Sequence, residues 1–259
     1  MRSRIKSLFT SPRADVFIGL IDENGVVRSS FKEECSISFT LCAYKKNNEA
    51  LIEEEVYVTK KIPNFEYSIQ GLEPLTIVEL TGEQIVHHGQ NRINLNAVIG
   101  TNSVHPELSS LLERRLEPVT YVSETFGLFY LNRRLGWFEL KTSWKDREVE
   151  LFLSGEVGRS ADLDTTARTL FQHQHDWDPK FRRRISDNLL GLKNDSWLEE
   201  TESPMTRDEL EQRVSLNSIV VFDGEIFEAW FDDGDVFGGH GIRVVGNLNG
   251  DLDTAELHG

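Results

Sequence analysis

A chain of 259 residues with 39% hydrophobic residues is long enough for one large or two ordinary domains and can bury a core. The formal net charge is −15, and residues 202–259 hold 13 acidic residues against 3 basic ones. Because an acidic surface repels phosphate backbones and anionic lipids, this composition argues against nucleic-acid and membrane partners.

The N-terminal segment, residues 1–14, is basic and has no continuous apolar stretch of the length that a signal peptide needs. We expect a solubilising tail or a short helix there. Cys35 and Cys42 are the two cysteines. Their odd separation within one strand places them on opposite faces, so we do not expect a disulfide between them. Two unpaired thiols are typical of a reducing compartment and indicate a cytoplasmic protein.

Residues 15–104 carry strand signals almost throughout, and we assign them to a β-rich domain. Asn24-Gly25 predicts a hairpin turn after the apolar run of residues 16–21. Short strands separated by Gly and Pro predict a small barrel or sandwich, architectures that limit exposed strand edges. An SH3-like barrel, an OB-like barrel and a split sandwich all remain open.

Residues 105–117 predict a connecting helix, because Pro106 stands at a preferred first helical position and leucines follow at helical spacing. The second domain, residues 118–259, opens with strand patterns. Two helices follow, the second expected to begin at the N-cap Asp178 and Pro179. Thr206 and Glu209 form the capping box of a short third helix.

Residues 217–259 predict an antiparallel meander. Asp223-Gly224 is a two-residue hairpin signal between residues 218–222 and 225–231. On the strand 225–231, neither the face of Phe227 nor the face of Trp230 is fully polar, so both faces are expected to be partly covered. The order strands, helices, strands predicts an α+β domain with helices packed on one face of an antiparallel sheet.

The turn after that strand has a distinctive sequence, Asp233-Gly234-Asp235-Val236-Phe237-Gly238-Gly239-His240, followed by a strand and a terminal Ala255-x-x-x-Gly259. This pattern resembles the closing signature of a bacterial family, domain of unknown function 2262. The resemblance extends back to about Pro118 through residues 126–144 and 189–200. Members usually have Trp where Gly238 stands, which argues against a ring stacked on a ligand. The family is uncharacterised, so the resemblance implies no particular chemistry.

Asp232, Asp233, Asp235 and His240 are the main candidate site residues. Carboxylates beside an imidazole can bind a divalent cation or act in general acid and base catalysis. The spacing excludes an EF-hand loop, because Phe237 stands where an oxygen donor is needed. We favour a polar turn with a half-buried, hydrogen-bonded His240 and expect no metal or cofactor. The alternative is a metal-dependent hydrolase that uses Asp233, Asp235 and His240.

Arg182, Arg183 and Arg184 form the second candidate site. Positive charge in the first turns of a helix opposes the helix macrodipole, so we expect these side chains to find carboxylate partners in the acidic C-terminal segment. They are also candidates for binding an anion or a partner protein.

These patterns favour a non-enzymatic, cytoplasmic protein-interaction module over an enzyme. Asp232, Asp233 and Asp235 would meet a basic patch on a partner protein, where opposite charge raises the association rate. By analogy with other small acidic bacterial domains, an immunity or inhibitor-like role fits this composition.

Overall fold

The computed structural model describes residues 14–31, 34–47, 49–64, 70–155, 160–199 and 202–259. The predicted N-terminal tail lies outside the described residues, except for Ala14. The chain divides into two compact units, Met1–Glu117 and Pro118–Gly259. We refer to them as unit 1 and unit 2.

The described part of unit 1 is β-rich and ends with a helix. In chain order its described elements are β1 (Asp15–Ile21), β2 (Val27–Phe31), β3 (Glu34–Lys46), β4 (Val56–Ile62), β5 (Ile77–His87), β6 (Gln90–Thr101) and α1 (Pro106–Leu116). Pro106 is the first residue of α1, as its sequence position predicts.

The six described strands of unit 1 form one sheet that is not a clean barrel. Strand β1 pairs with both β5 and β3, so that β1, β3, β4, β6 and β5 close a ring of pairings, with β4 and β6 parallel. Strand β2 lies outside the ring and pairs with β3. Bulges interrupt β1 and β5.

The hairpin predicted at Asn24-Gly25 is wrong, although the turn itself exists. Gly25 has a φ of 65°, and the Asp22 carboxylate accepts hydrogen bonds from the backbone N–H groups of Asn24 and Gly25. Strands β1 and β2, however, pair with other strands and not with each other in the described structure. Both strands pair antiparallel with β3, so they run in the same direction and the turn does not reverse the chain.

Two buried clusters stabilise unit 1. The larger lies within the ring and includes Phe17, Phe39 and Leu80. The smaller joins Leu108 and Leu111 of α1 to residues of β1, β3 and β5. The helix predicted to connect two domains is therefore part of the core of unit 1.

Unit 2 combines a large sheet with helices. Its described elements are β7 (Thr120–Ser123), β8 (Gly127–Asn132), β9 (Trp137–Trp144), β10 (Arg147–Leu153), α2 (Ser160–Gln172), α3 (Gln174–Ser196), α4 (Arg207–Arg213), β11 (Ser215–Phe222), β12 (Ile226–Asp232), β13 (Gly241–Asn247) and β14 (Leu252–His258). The eight described strands follow one another in chain order across the sheet. Neighbours are antiparallel except β10 and β11, which the helices separate in sequence. The α+β class and the C-terminal meander of β11–β14 are confirmed.

One face of this sheet shares a hydrophobic cluster with the helices. Phe227, Ala229 and Phe231 of β12 belong to this cluster, together with Phe181 and Ile185 of α3. We call this the inner face and the opposite one the outer face. Since side chains alternate along a strand, Ile226, Glu228, Trp230 and Asp232 lie on the outer face.

Two local predictions in unit 2 need correction. Helix α3 begins at Gln174, so Pro179 lies inside the helix and Asp178 is not its N-cap. The β11–β12 loop contains three residues rather than two, because Phe222 pairs with Ile226 and Glu225 adopts a φ of 64°. The capping box of α4 is confirmed. In the part of the chain that the structure describes, no helix has both the length and the apolar character needed to cross a membrane.

Candidate functional site

The loop between β12 and β13 holds the predicted carboxylate and histidine cluster. Asp233 is 1% exposed, and its carboxylate accepts three backbone hydrogen bonds. The donors are the N–H groups of Asp235 at 3.1 Å, Phe237 at 2.6 Å and Gly239 at 3.1 Å. Left-handed backbone at Gly234, Asp235, Gly238 and Gly239 turns these N–H groups towards the carboxylate. Asp233 therefore holds the loop in its conformation.

His240 also serves the packing of this loop. Its Nδ1 lies 2.5 Å from the Phe237 carbonyl oxygen, and its ring packs edge-on against Trp197 at 5.3 Å between centroids. Trp197 contacts the Phe237 ring in the same way, at 5.8 Å. A Cβ added to Gly259 would lie 2.3 Å from the imidazole Cδ2, so the C-terminal glycine packs directly on His240. The residues that carry the family signature thus form one packed cluster.

Trp197 is held in place at the end of α3. Its backbone N–H donates to the Lys193 carbonyl. The Lys193 ammonium in turn donates to the Trp197 carbonyl oxygen at 2.9 Å and to Glu202 at 2.7 Å. The Lys193 side chain is buried, so this ion pair fixes the helix end against which His240 packs.

The other two candidate carboxylates lie at the end of β12 and in the loop. Asp232 and Asp235 are exposed. Asp232 accepts a hydrogen bond from the N–H of Gly234. Nowhere in the described ranges do three or more His, Cys, Asp or Glu side chains come together in a group that could hold a metal ion. The structure therefore places Asp233, Asp235 and His240 in one loop, with Asp233 and His240 bound to backbone atoms and to neighbouring rings.

The three arginines of the second candidate site also differ in burial and in their partners. Arg182 donates to Asp178 at 2.9 Å, and its Nη1 donates to the carbonyl oxygens of Glu211 and Val214 at 2.5 and 2.7 Å. It therefore joins α3 to the end of α4. Its carboxylate partner lies one turn earlier on its own helix, not in the C-terminal segment as predicted. Arg183 is exposed and Arg184 half-buried.

Asp178 is a site residue that sequence reasoning missed. It is 5% exposed and also accepts from the indole N–H of Trp144 at 3.3 Å and from Lys145 at 3.4 Å. Burial alone would raise the pKa of this carboxyl, but the hydrogen bond and charge of Arg182, together with Lys145, hold the pKa below its ordinary value. The i, i+4 spacing of Asp178 and Arg182 was the available signal. Clefts of about 160 and 330 Å³ lie beside this network.

A cavity of about 740 Å³ in unit 1 is polar as well, and Asp15, Lys45, Asn47 and His105 are among its lining residues. Three of these four are engaged with neighbours. Lys45 pairs with Glu107, while Asp15 pairs with Lys46 and with the Asn47 amide. The fourth, His105, has a buried Nδ1 with no hydrogen-bond partner among the described residues.

The outer face of the unit 2 sheet carries an apolar surface. We call it the outer patch, and it consists of Tyr130, Trp137, Phe152, Val220, Phe222 and Ile226. The register aligns Phe152 with Val220, and Phe222 with Ile226. The Trp137 ring lies 6.2 Å from Phe152 and 6.1 Å from Phe222. None of these six side chains belongs to the hydrophobic cluster that the described helices share with the inner face.

Comparison with known proteins gives one match. The model of the family DUF2262, described as uncharacterized protein conserved in bacteria, matches residues 123–257. This range covers unit 2 from the end of β7 to β14 and includes the loop of Asp233 and His240. No curated protein and no solved structure matches the chain significantly. The chain therefore belongs to the bacterial family DUF2262, whose model matches the α+β unit that contains the Asp233 loop.

Proposed function

We propose that this protein is a non-enzymatic protein-interaction module that acts in the cytoplasm and recognises a basic protein, in an immunity or inhibitor-like role. The observation that carries the proposal is the difference between the buried and the exposed carboxylates at the Asp233 loop. The groups that could do chemistry, Asp233 and His240, are engaged in holding the loop, whereas the carboxylates of Asp232 and Asp235 are exposed to a partner.

The charge of unit 2 supports a basic partner. Residues 118–259 hold 27 acidic and 15 basic residues. A surface with this excess of negative charge attracts a positively charged protein and raises the rate of encounter. The two cysteines are both free, which agrees with a reducing compartment.

The proposal extends to the architecture of unit 2. We propose that α2, α3 and α4 cover the inner face alone, because the hydrophobic residues that these helices bury fall in the inner-face cluster. The outer face and the exposed loop carboxylates are then available to the partner at the same time.

Affinity purification of the full chain from its native host tests this function. We expect a discrete basic protein to co-purify, in an amount that falls as salt rises, because salt screens exposed charges. A variant with both Asp232→Asn and Asp235→Asn should recover several-fold less partner. The matched control is Asp195→Asn with Asp251→Asn, which makes the same charge change at exposed positions outside the Asp233 loop.

A metal titration separates this proposal from the hydrolase alternative. We expect Mg²⁺, Mn²⁺ and Zn²⁺ to leave the thermal unfolding of the wild-type chain unchanged. A metal-dependent rise in Tm that disappears in Asp235→Asn would instead indicate metal bound in the loop. Such a rise, without a co-purified protein, would overturn the proposed function.

A further inference from the structure

We infer that the outer patch, flanked by carboxylates, is the surface on which unit 2 docks a basic protein. This inference rests on the proposed function and states which surface of unit 2 binds the partner. A sheet normally buries both faces or exposes a polar one, so an apolar face outside the helix-packed core requires an occupant.

The centre of the outer patch is contiguous, because the Trp137 ring contacts Phe152 and Phe222, whereas Glu139 lies between Tyr130 and Phe152. The outer patch follows the sheet from β8 to β12, five neighbouring strands that span about 19 Å at the usual strand spacing. Val122 and Leu128, which pair with each other on the same face, extend it to the edge strand and are 71% and 44% exposed. Within the outer patch, Tyr130 is 51% and Ile226 40% exposed, whereas Trp137, Phe152 and Phe222 are half-buried and Val220 is buried. A backbone fixed by pairing on both sides presents these side chains with little loss of entropy on binding.

The rest of the outer face is polar and mostly paired within itself. Arg243 bridges Glu228 at 3.3 Å and Glu256 at 2.8 Å, and the Trp230 indole donates to Glu228 at 3.0 Å. The His258 ring packs on Trp230 at 5.1 Å. This network borders the outer patch and leaves the aromatic surface as the part of the face without such a covering.

The charges around the outer patch select the partner. Among the described strand residues of the outer face, carboxylates outnumber the cations Lys141 and Arg243, and these carboxylates belong to Glu139, Glu148, Glu150, Glu228, Asp232 and Glu256. Lys141 pairs with Glu148, and Arg243 with Glu228 and Glu256, so the carboxylates of Glu139, Glu150 and Asp232 are the ones outside these ion pairs. A second copy of the chain would bring the same negative rim against this one, and like charges facing each other oppose association. A protein with an apolar centre and a Lys or Arg rim is complementary to both features.

Site-specific photo-crosslinking in the native host tests the location. A benzophenone amino acid replaces Tyr130 or Ile226 on the outer patch, Asp235 at the loop, or Leu192, which is 39% exposed on α3, as a control. We expect a single adduct from Tyr130 and Ile226, none from Leu192, and a basic protein as the crosslinked species.

Charge variants at one position test the chemistry. Against the protein identified by crosslinking, Ile226→Lys should weaken binding at least about tenfold more than Ile226→Glu, because only Lys repels a basic rim. Equal effects of the two variants would overturn the electrostatic part of the inference.

The other outcomes distinguish an error in the binding surface from an error in the proposed function. An adduct from Asp235 alone would leave the interaction function intact and remove the outer patch as its site. An adduct between two copies of this chain would replace the basic partner with self-association. No adduct at any position, together with no co-purified protein, would overturn the proposed function itself.

Discussion

The Asp233 carboxylate lies 2.6 Å from the backbone nitrogen of Phe237, and the same oxygen accepts the N–H of Gly239 at 3.1 Å. A single buried side chain thus replaces the hydrogen bonds that the loop backbone would otherwise make to water. In this chain, the residues of the family signature therefore hold the loop that connects β12 to β13.

Asp233→Asn should destabilise unit 2 by about 2–4 kcal/mol, because hydrogen bonds to charged groups are strong and the new amide would present N–H groups to N–H donors. The substitution keeps the size of the side chain, so it creates no cavity. Tryptophan fluorescence during urea unfolding measures the effect in unit 2 specifically, since Trp137, Trp144, Trp177, Trp197 and Trp230 all lie there.

The control is Asp235→Asn, an exposed carboxylate in the same loop. It should change the free energy of unfolding by no more than about 0.5 kcal/mol. Equal effects of the two substitutions would show that the Asp233 carboxylate is not the group that holds the loop.

Arg182→Met should destabilise unit 2 by about 2–4 kcal/mol at neutral pH, because it leaves the buried Asp178 carboxylate without its main partner. It also removes the donors to the carbonyl oxygens of Glu211 and Val214. Arg183→Met, the same change at the exposed neighbouring position, is the matched control and should be nearly neutral.

The Asp178 and Arg182 pair also predicts a pH dependence. The pKa of Asp178 is lower in the folded protein than its ordinary value, so the ionised carboxylate contributes stability above about pH 4, and this contribution is lost as the pH falls further. The stability difference between wild type and Asp178→Asn should therefore shrink at acid pH. A difference that stays constant from pH 7 to about pH 3 would contradict the linkage.

Two of the local sequence signals predicted the local structure correctly. The capping box of Thr206 and Glu209 and the helix start at Pro106 depend on residues within one helical turn, and both are present. The meander could also be predicted from the sequence, because the alternation of apolar side chains along β12 and β13 sets which of them enter the core.

Predictions that depended on tertiary partners were less successful. The turn at Gly25 exists, yet β1 and β2 do not form a hairpin, because both pair antiparallel with the long strand β3. Aspartate is a residue type that N-caps favour, but Asp178 lies inside α3. There its carboxylate pairs with Arg182 and Lys145 and accepts a hydrogen bond from Trp144. The apolar character of both faces of β12 was visible in sequence. Which face the helices share a core with depends on residues far apart in the chain.

The two cysteines should differ in reactivity. Cys42 is buried and its thiol lies 3.4 Å from the Leu20 carbonyl oxygen, and burial raises the pKa of this thiol to about 11. Because the thiolate is the reactive form, Cys42 should resist alkylation in the native protein at pH 8. Cys35 is half-buried and should react first.

Mass spectrometry after iodoacetamide treatment measures this difference directly. We expect one fast-reacting thiol in the native chain and two in denaturant. Cys35→Ser should leave no fast-reacting thiol. Rapid labelling of Cys42 in this variant under native conditions would show that β3 opens to solvent more readily than its buried side chains indicate.

Two glycine-to-alanine substitutions in unit 2 should have opposite effects. Gly246 lies on β13, and an added Cβ would approach the Phe227 ring to 2.5 Å, so the core must shift and we expect a loss of about 1–3 kcal/mol. Gly191 lies in α3 with no atom within 4 Å of an added Cβ. Alanine there should stabilise the helix by about 0.5–1 kcal/mol, since glycine loses more backbone entropy on folding. Urea unfolding followed by tryptophan fluorescence measures both variants in the same transition. A loss of stability in Gly191→Ala would mean that the exposed face of α3 is in contact with another part of the protein or with a partner.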